Sequence, residues 1–152
     1  MIINIVGAGS WGLALSHLLT NNNHKVKMWS RNKSNVVKFS LKRNYHKLPK
    51  YKINPKIIFT SNLSDLNFNN LTIIALPSSA VYKTLKVVNC IDSNLLICTK
   101  GFDPESRMLL SDLLVQKLNI SINKIAVMSG PNHAEEIVQN KPSATVIASK
   151  ND

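Results

Sequence analysis

The glycines Gly7, Gly9 and Gly12 constrain the fold more than any other feature of the sequence. They separate two apolar runs, Ile2-Ile3-Asn4-Ile5-Val6 and the stretch from Leu13 to Leu19. The first run is short, rich in β-branched residues and closed by glycine, which predicts a buried strand. The second continues as an apolar-rich helix until Asn21-Asn22-Asn23-His24 breaks it. A strand that turns directly into a helix needs backbone without side chains. Gly7 permits the tight turn, Gly9 leaves the backbone open to close approach, and Gly12 lets the helix pack against the strand. Lys25-Val26-Lys27-Met28-Trp29 then alternates polar and apolar residues, as a second strand does.

The same rhythm recurs along the chain. A polar helix is expected from about Ser34 to Arg43, followed by a basic loop over 44–56 that Pro49 and Pro55 punctuate. Further strands are expected at Ile57–Thr60, Leu71–Leu76, Leu95–Cys98 and Ile125–Met128, with a last one from Ala144 to Ala148. Helices are expected from about Ser79 to Val88 and over 105–118, where Met108, Leu109, Leu113 and Leu114 share one side. Asn132 is the expected N-cap of a further helix, with Glu135 completing a capping box. Nearly all-apolar strands alternating with helices specify an α/β fold, a doubly wound and mostly parallel sheet covered on both faces. No linker, repeat or low-complexity stretch divides residues 1–152, which form one domain.

Composition removes several classes of function. No apolar run approaches the ~18–20 residues of a membrane span. The N-terminus lacks the basic head and cleavage site of a signal peptide. The cysteines, Cys90 and Cys98, have neither metal nor redox spacing, so a reducing cytoplasm is expected. The net charge is +11, yet residues 1–64 hold eleven Lys and Arg and no Asp or Glu. Residues 65–152 balance, with eight of each sign. Such a half suits an anionic partner, a phosphate-bearing cofactor or nucleic acid. The abundance of Asn, Lys and Ile also accounts for the surplus as composition alone. No nucleic-acid motif accompanies it.

Gly7-x-Gly9-x-x-Gly12, between a strand and a helix, is a dinucleotide fingerprint in its required context. The helix start offers N–H groups and a positive dipole end to a pyrophosphate. Where an NAD-specific site would place a carboxylate for the ribose 2′-hydroxyl, this chain reads Trp29-Ser30-Arg31-Asn32. Arg31 suits a 2′-phosphate, which favours NADP or use of both NADP and NAD. Ligands in such sheets gather beyond the carboxyl ends of the strands. Pro77-Ser78-Ser79, Lys100-Gly101 and Ser129-Gly130-Pro131-Asn132 stand at those ends. Lys100 there can hold a phosphate or polarise a carbonyl, or can be an ordinary loop lysine. His133 beside these groups suits packing as well as contact with a ligand. No metal cluster and no nucleophile–base pair is visible in the sequence.

Taken together these residues resemble the bacterial-type NAD(P)-dependent glycerol-3-phosphate dehydrogenases. The resemblance runs in order through Gly7 to Gly12, Asn44-Tyr45-His46-Lys47-Leu48-Pro49, Pro77-Ser78, Lys100 to Glu105, and Ser129 to Glu136. It implies a Rossmann-type cofactor domain that is incomplete at its C-terminal end, and a second, helical domain beyond Asp152. It implies reduction of dihydroxyacetone phosphate to sn-glycerol 3-phosphate for phospholipid synthesis, with the general acid/base lysine in that second domain and no catalytic residue here. By the same resemblance Ser10 and Trp11 lie against the pyrophosphate and Arg31 near the adenosine ribose. Lys100 touches cofactor and substrate, Gly130 and Asn132 face the substrate phosphate, and Ala134 faces the nicotinamide. A homodimer is compatible with it. Lys47 stands where the family has tyrosine, and Asn132 where it has serine. A chain of this length also suits a non-catalytic dinucleotide-binding module, a gene remnant or a part of a sister hydroxy-acid dehydrogenase.

Overall fold

A computed structural model describes residues 2–151. The chain alternates strands and helices: β1 (Ile2–Val6), α1 (Ser10–Asn21), β2 (Lys25–Trp29), α2 (Lys33–Lys42), β3 (Ile58–Thr60), β4 (Leu71–Ile74), α3 (Ser78–Leu85), β5 (Asn94–Ile97), α4 (Leu110–Leu118), β6 (Ile125–Ser129), α5 (Ala134–Ile137) and β7 (Val146–Ser149). The strands form one sheet in the order β3-β2-β1-β4-β5-β6-β7. Neighbours pair parallel except β6 and β7, which are antiparallel, Val127 opposite Ala148. A strand's apolar run carries no information about its direction, so the sense of this last pairing was outside the reach of the sequence.

The pleat separates two hydrophobic clusters. Ile3 and Ile5 of β1 join Leu13 of α1, Phe39 of α2 and Ile137 of α5 on one face. Val6 joins Val81 and Leu85 of α3 and Leu113 and Leu114 of α4 on the other. Alternation between buried layers is what a near-continuous apolar strand provides when helices cover both faces. Asn4 interrupts β1 with a buried polar side chain, and its Nδ2 donates to the Asn67 carbonyl at 2.6 Å. That bond limits the cost of burying an amide.

Two expected elements differ. The helix expected over 105–118 begins only at Leu110. The Asp103 carboxylate accepts from the Ser106 N–H and hydroxyl, both at 2.8 Å, and holds the preceding residues in a turn. Those same bonds, led by the backbone N–H, keep the Asp103 carboxyl below its ordinary range. A short polar side chain bonded to nearby backbone competes with helix in this way. The N-cap of α5 is His133, without a side-chain bond, and not Asn132; no capping box forms with Glu135. The Asn132 side chain is engaged elsewhere. Its Nδ2 donates to the Ser143 hydroxyl at 2.6 Å and the Ala144 carbonyl at 2.8 Å, and its Oδ1 accepts from the Thr145 hydroxyl at 3.3 Å.

Candidate functional site

The sheet order reverses between β1 and β4, since β2 and β3 extend one way and β5 to β7 the other. A crevice opens at such a switch point, beyond the carboxyl ends of the strands. The glycine loop forms its floor. Gly7 has φ +122°, and a Cβ there would lie 2.3 Å from the Ala75 carbonyl oxygen. At Gly12 a Cβ would lie 2.0 Å from the Gly7 carbonyl oxygen. Both glycines are therefore required by the chain's own packing. Gly9 differs, because a Cβ there would meet nothing within 4 Å. Its backbone faces open space.

Gly9 is also the N-cap of α1, where no side chain caps the helix and no acidic residue sits in the first turn. The positive end of the dipole thus meets the crevice uncompensated, as an anion site requires. Ser10 and Trp11, the first residues of α1, line the crevice with Gly9.

Two clefts meet at this loop. The first, about 290 Å³, is lined by Gly7, Gly9, Ser30, Arg31, Asn35 and Tyr45, among others. Arg31 is exposed and has neither hydrogen bond nor ion pair among the described residues, so its guanidinium is available. Ser30 is buried and its hydroxyl accepts from the Asn32 N–H at 3.3 Å. Asn32 caps α2 by accepting from the N–H groups of Ser34 and Asn35. The turn that presents Arg31 is thereby fixed at both sides. No carboxylate lines this cleft.

The second cleft, about 410 Å³, is lined by Ser10, Trp11, Cys98, Lys100, Asn132 and Ala134, among others. Both clefts share Gly9, Ala75, Leu76 and Pro77, so they form one trough across the switch point. Lys100 is exposed just beyond β5, and its Nζ donates to the Gly130 carbonyl at 3.3 Å. Thr99 fastens the end of β5 to that of β4 by donating to the Leu76 carbonyl at 2.8 Å. Burial pushes the Cys98 thiol up to about 12, against a hydrogen bond with the Trp11 side chain. Cys98 is thus a neutral, apolar part of the wall and no nucleophile.

The crevice brings Gly9, Ser10, Trp11, Lys100, Asn132 and Ala134 to one wall and Arg31 to the other. Gly130 reaches it only through its carbonyl on Lys100. A Cβ at Gly130 would lie 2.7 Å from the Ala144 carbonyl oxygen, so this glycine admits the strand approaching β7. Asn35 and Thr99 line the trough although nothing in the sequence singled them out; Tyr45 and Glu135 also line it, the first noted only within a family motif and the second within one and as a helix-capping residue. For Thr99 the available signal is adjacency to Lys100 at a strand end. Tyr45 comes from a loop whose path only the fold defines, and its ring rests edge-on against Phe39, centroids 5.4 Å apart.

Another cleft, about 440 Å³, lies near the amino ends of β4 and β5, between Leu63–Phe68 and Val87–Cys90. It has neither a glycine loop nor a cation in its lining. Among the described residues no cluster of His, Cys, Asp and Glu could hold a metal, and no helix is long and apolar enough to cross a membrane.

The sequence profile of the NAD-dependent glycerol-3-phosphate dehydrogenase N-terminus matches residues 2–152. A glycerol-3-phosphate dehydrogenase [NAD(P)+] of Halothermothrix orenii is 33% identical over 97% of this chain and 44% of its own length. One of Bacillus velezensis is 34% identical over 98% of this chain and 45% of its own length. The crystal structure of glycerol-3-phosphate dehydrogenase from Coxiella burnetii superposes with a TM-score of 0.87 at 29% identity, over 99% of this chain and 47% of that one. D-mandelate dehydrogenase with NADH shares the fold, TM-score 0.64 at 15% identity over 86% of this chain and 41% of that one. The chain spans less than half the length of the relatives it matches. Sequence and fold together make it a member of the NAD-dependent glycerol-3-phosphate dehydrogenase N-terminal family.

Proposed function

We propose that residues 1–152 are the cofactor-binding half of an NAD(P)-dependent glycerol-3-phosphate dehydrogenase. The observation that carries this reading is the open space over Gly9, at the uncapped start of α1, where the two clefts meet. A dinucleotide has its pyrophosphate in the middle and a nucleoside at each end, and two clefts joined at Gly9 would accommodate that layout. The backbone of Gly9, Ser10 and Trp11 would hold the pyrophosphate. Arg31 would take the adenosine side, where the lack of a carboxylate admits a 2′-phosphate as well as a hydroxyl. Ala134, small and buried, would leave room for the nicotinamide. When bound, the cofactor supplies or accepts a hydride.

Lys100 would sit between cofactor and substrate. Its ammonium group, steadied by the Gly130 carbonyl, can stabilise negative charge on a reacting carbonyl oxygen or a phosphate. Gly130 and Asn132 would shape the substrate side, with the Asn132 amide holding the loop in place. In the complete protein, a helical second domain would supply the proton donor and further phosphate contacts. The reaction would be the reduction of dihydroxyacetone phosphate to sn-glycerol 3-phosphate, in the cytoplasm, feeding phospholipid synthesis.

Titration of the 152-residue chain with NADPH and NADH, followed by nicotinamide fluorescence, tests the reading. Saturable binding of both, tighter for NADPH, is expected, together with no turnover of dihydroxyacetone phosphate by this half alone. Absence of binding to a folded chain overturns it, and robust turnover overturns the division of labour between the halves.

A further inference from the structure

We propose that the outer face of α2 is a docking surface for an anionic lipid bilayer. The inference stands apart from the cofactor reading. α2 turns Val36 and Phe39 inward, where both pack with the core. Lys33, Ser34, Val37, Lys38, Leu41 and Lys42 face outward and are exposed. At about 3.6 residues per turn, Val37 and Leu41 stack one above the other, with Lys33 on one flank and Lys38 and Lys42 on the other. Val37 is 56% exposed and Leu41 77%. Aliphatic side chains so open to water, with lysines on both flanks, are the chemistry that an interfacial helix presents to a bilayer.

The charge around this face is uncompensated. Residues 1–64 contain no acidic side chain. The ion pairs among the described residues, Lys83–Glu105 and Lys124–Asp92, lie outside that segment. Asp65, the first acid in the sequence, accepts a hydrogen bond from Thr60. The loop after α2 adds exposed lysines at 47, 50 and 52.

The chemistry of the face favours lipid over nucleic acid. Nucleic-acid surfaces add to phosphate-neutralising lysines and arginines groups that fork onto or stack with bases, chiefly arginine and aromatic rings. α2 itself presents only lysines; Arg31, two residues before it, lines the cofactor cleft, and Arg43 just after it turns back to donate to the Ile57 carbonyl at 3.0 Å. Phe39, the aromatic residue of α2, is fully buried. Exposed Val37 and Leu41 have no partner on a phosphodiester backbone, whereas a bilayer offers them the boundary of the acyl chains beneath its anionic headgroups. A single helix of this size gives weak, reversible, salt-sensitive attachment.

Co-sedimentation of the full chain with vesicles tests this. Vesicles of equal parts phosphatidylglycerol and phosphatidylcholine should pellet it at low ionic strength, and vesicles of phosphatidylcholine alone should not. Each lysine near an anionic surface changes partitioning roughly fivefold, so Lys33→Gln, Lys38→Gln and Lys42→Gln together should weaken it on the order of 100-fold. Leu41→Ser should weaken it several-fold more, without changing the melting curve, because the side chain touches little of the fold. A random-sequence DNA duplex supplies the contrast, and Leu41→Ser should not alter binding to it. Failure to pellet with anionic vesicles overturns the proposal, as does pelleting indifferent to the lysine substitutions. Equal affinity for vesicles and duplex, with Leu41→Ser affecting neither, assigns the face to unspecific polyanion contact and overturns it too.

Discussion

Two strand-end loops of this protein look alike in sequence and differ in structure. Gly7 to Gly12 joins β1 to α1, and Ser129 to Asn132 joins β6 to α5. Each has glycine at the carboxyl end of a strand, where ligands gather in this fold. In the first loop, Gly7 and Gly12 make room for the chain itself and Gly9 leaves room for something else. In the second, the space at Gly130 is taken by Ala144, and the Asn132 amide is bonded to Ser143, Ala144 and Thr145. A glycine reports that something comes close to the backbone. It does not report whether a ligand or the chain's own next segment does so.

The sharpest way to break this comparison is within the first loop. Gly12→Ala puts a Cβ against the Gly7 carbonyl, a backbone atom with nowhere to go. A destabilisation of at least ~3 kcal/mol is expected, read from a denaturant or thermal melt. Gly9→Ala meets no atom of the chain and should leave the melt within ~0.5 kcal/mol of the parent. It should nevertheless weaken NADPH binding by tenfold or more, because the methyl group occupies the space proposed for the pyrophosphate. Equal effects of both substitutions on stability would remove the distinction between packing and ligand glycines.

Lys100 tests the second loop from outside. In a protein that carries this half together with the proposed second domain, Lys100→Ala should lower kcat/KM by ~10²-fold, by analogy with other positioned charge stabilisers. Folding should be nearly unchanged, since the lysine is exposed and loses only a bond to the Gly130 carbonyl. A change below about threefold, against that ~10², returns it to the class of surface lysines. Arg31→Ala should weaken NADPH binding by about 1.5 kcal/mol, at the lower end for a charge-assisted hydrogen bond because the group is exposed. NADH binding should hardly change. An equal loss for both cofactors would mean that Arg31 acts through the general field of the basic half and not on a 2′-phosphate.

Much of this was legible in the sequence for a physical reason. Strands such as Ile2–Val6 and Leu71–Ile74 lie between helical layers, so their apolar character is nearly continuous and stands out. The glycine loop was legible because the positive φ of Gly7 and the contact of Gly12 with the Gly7 carbonyl arise within one strand, turn and helix, although Ala75 from a distant strand end also crowds Gly7. The less legible features depend on segments distant in sequence. Asn132 precedes a helix, as an N-cap should, but Ser143 to Thr145 compete for its amide, and His133 takes the capping position. The start of α4 moved to Leu110 because Asp103 and Ser106 close their own turn first. Tyr45 reaches the trough from a loop whose course follows from burial of Leu48, Tyr51 and Ile53.

The smallest effect belongs to Asn132, and it bears most directly on what the second loop is for. Its side chain makes its hydrogen bonds to the segment that leads into β7, and that segment is otherwise exposed along its length. Asn132→Ala removes partly solvated bonds, whose net worth is about 1 kcal/mol in total because water replaces them. The melt of the isolated chain should therefore shift only slightly, while amide exchange in residues 143–149 should accelerate clearly, since local opening becomes easier there than global unfolding. NADPH affinity should stay within about twofold, because a change under ~0.5 kcal/mol is typical of a site away from the contact. If instead exchange is unchanged and cofactor affinity falls tenfold, the amide contacts the ligand directly. The two loops would then have the same role, with both glycine-bearing turns serving the crevice and neither serving the edge of the sheet.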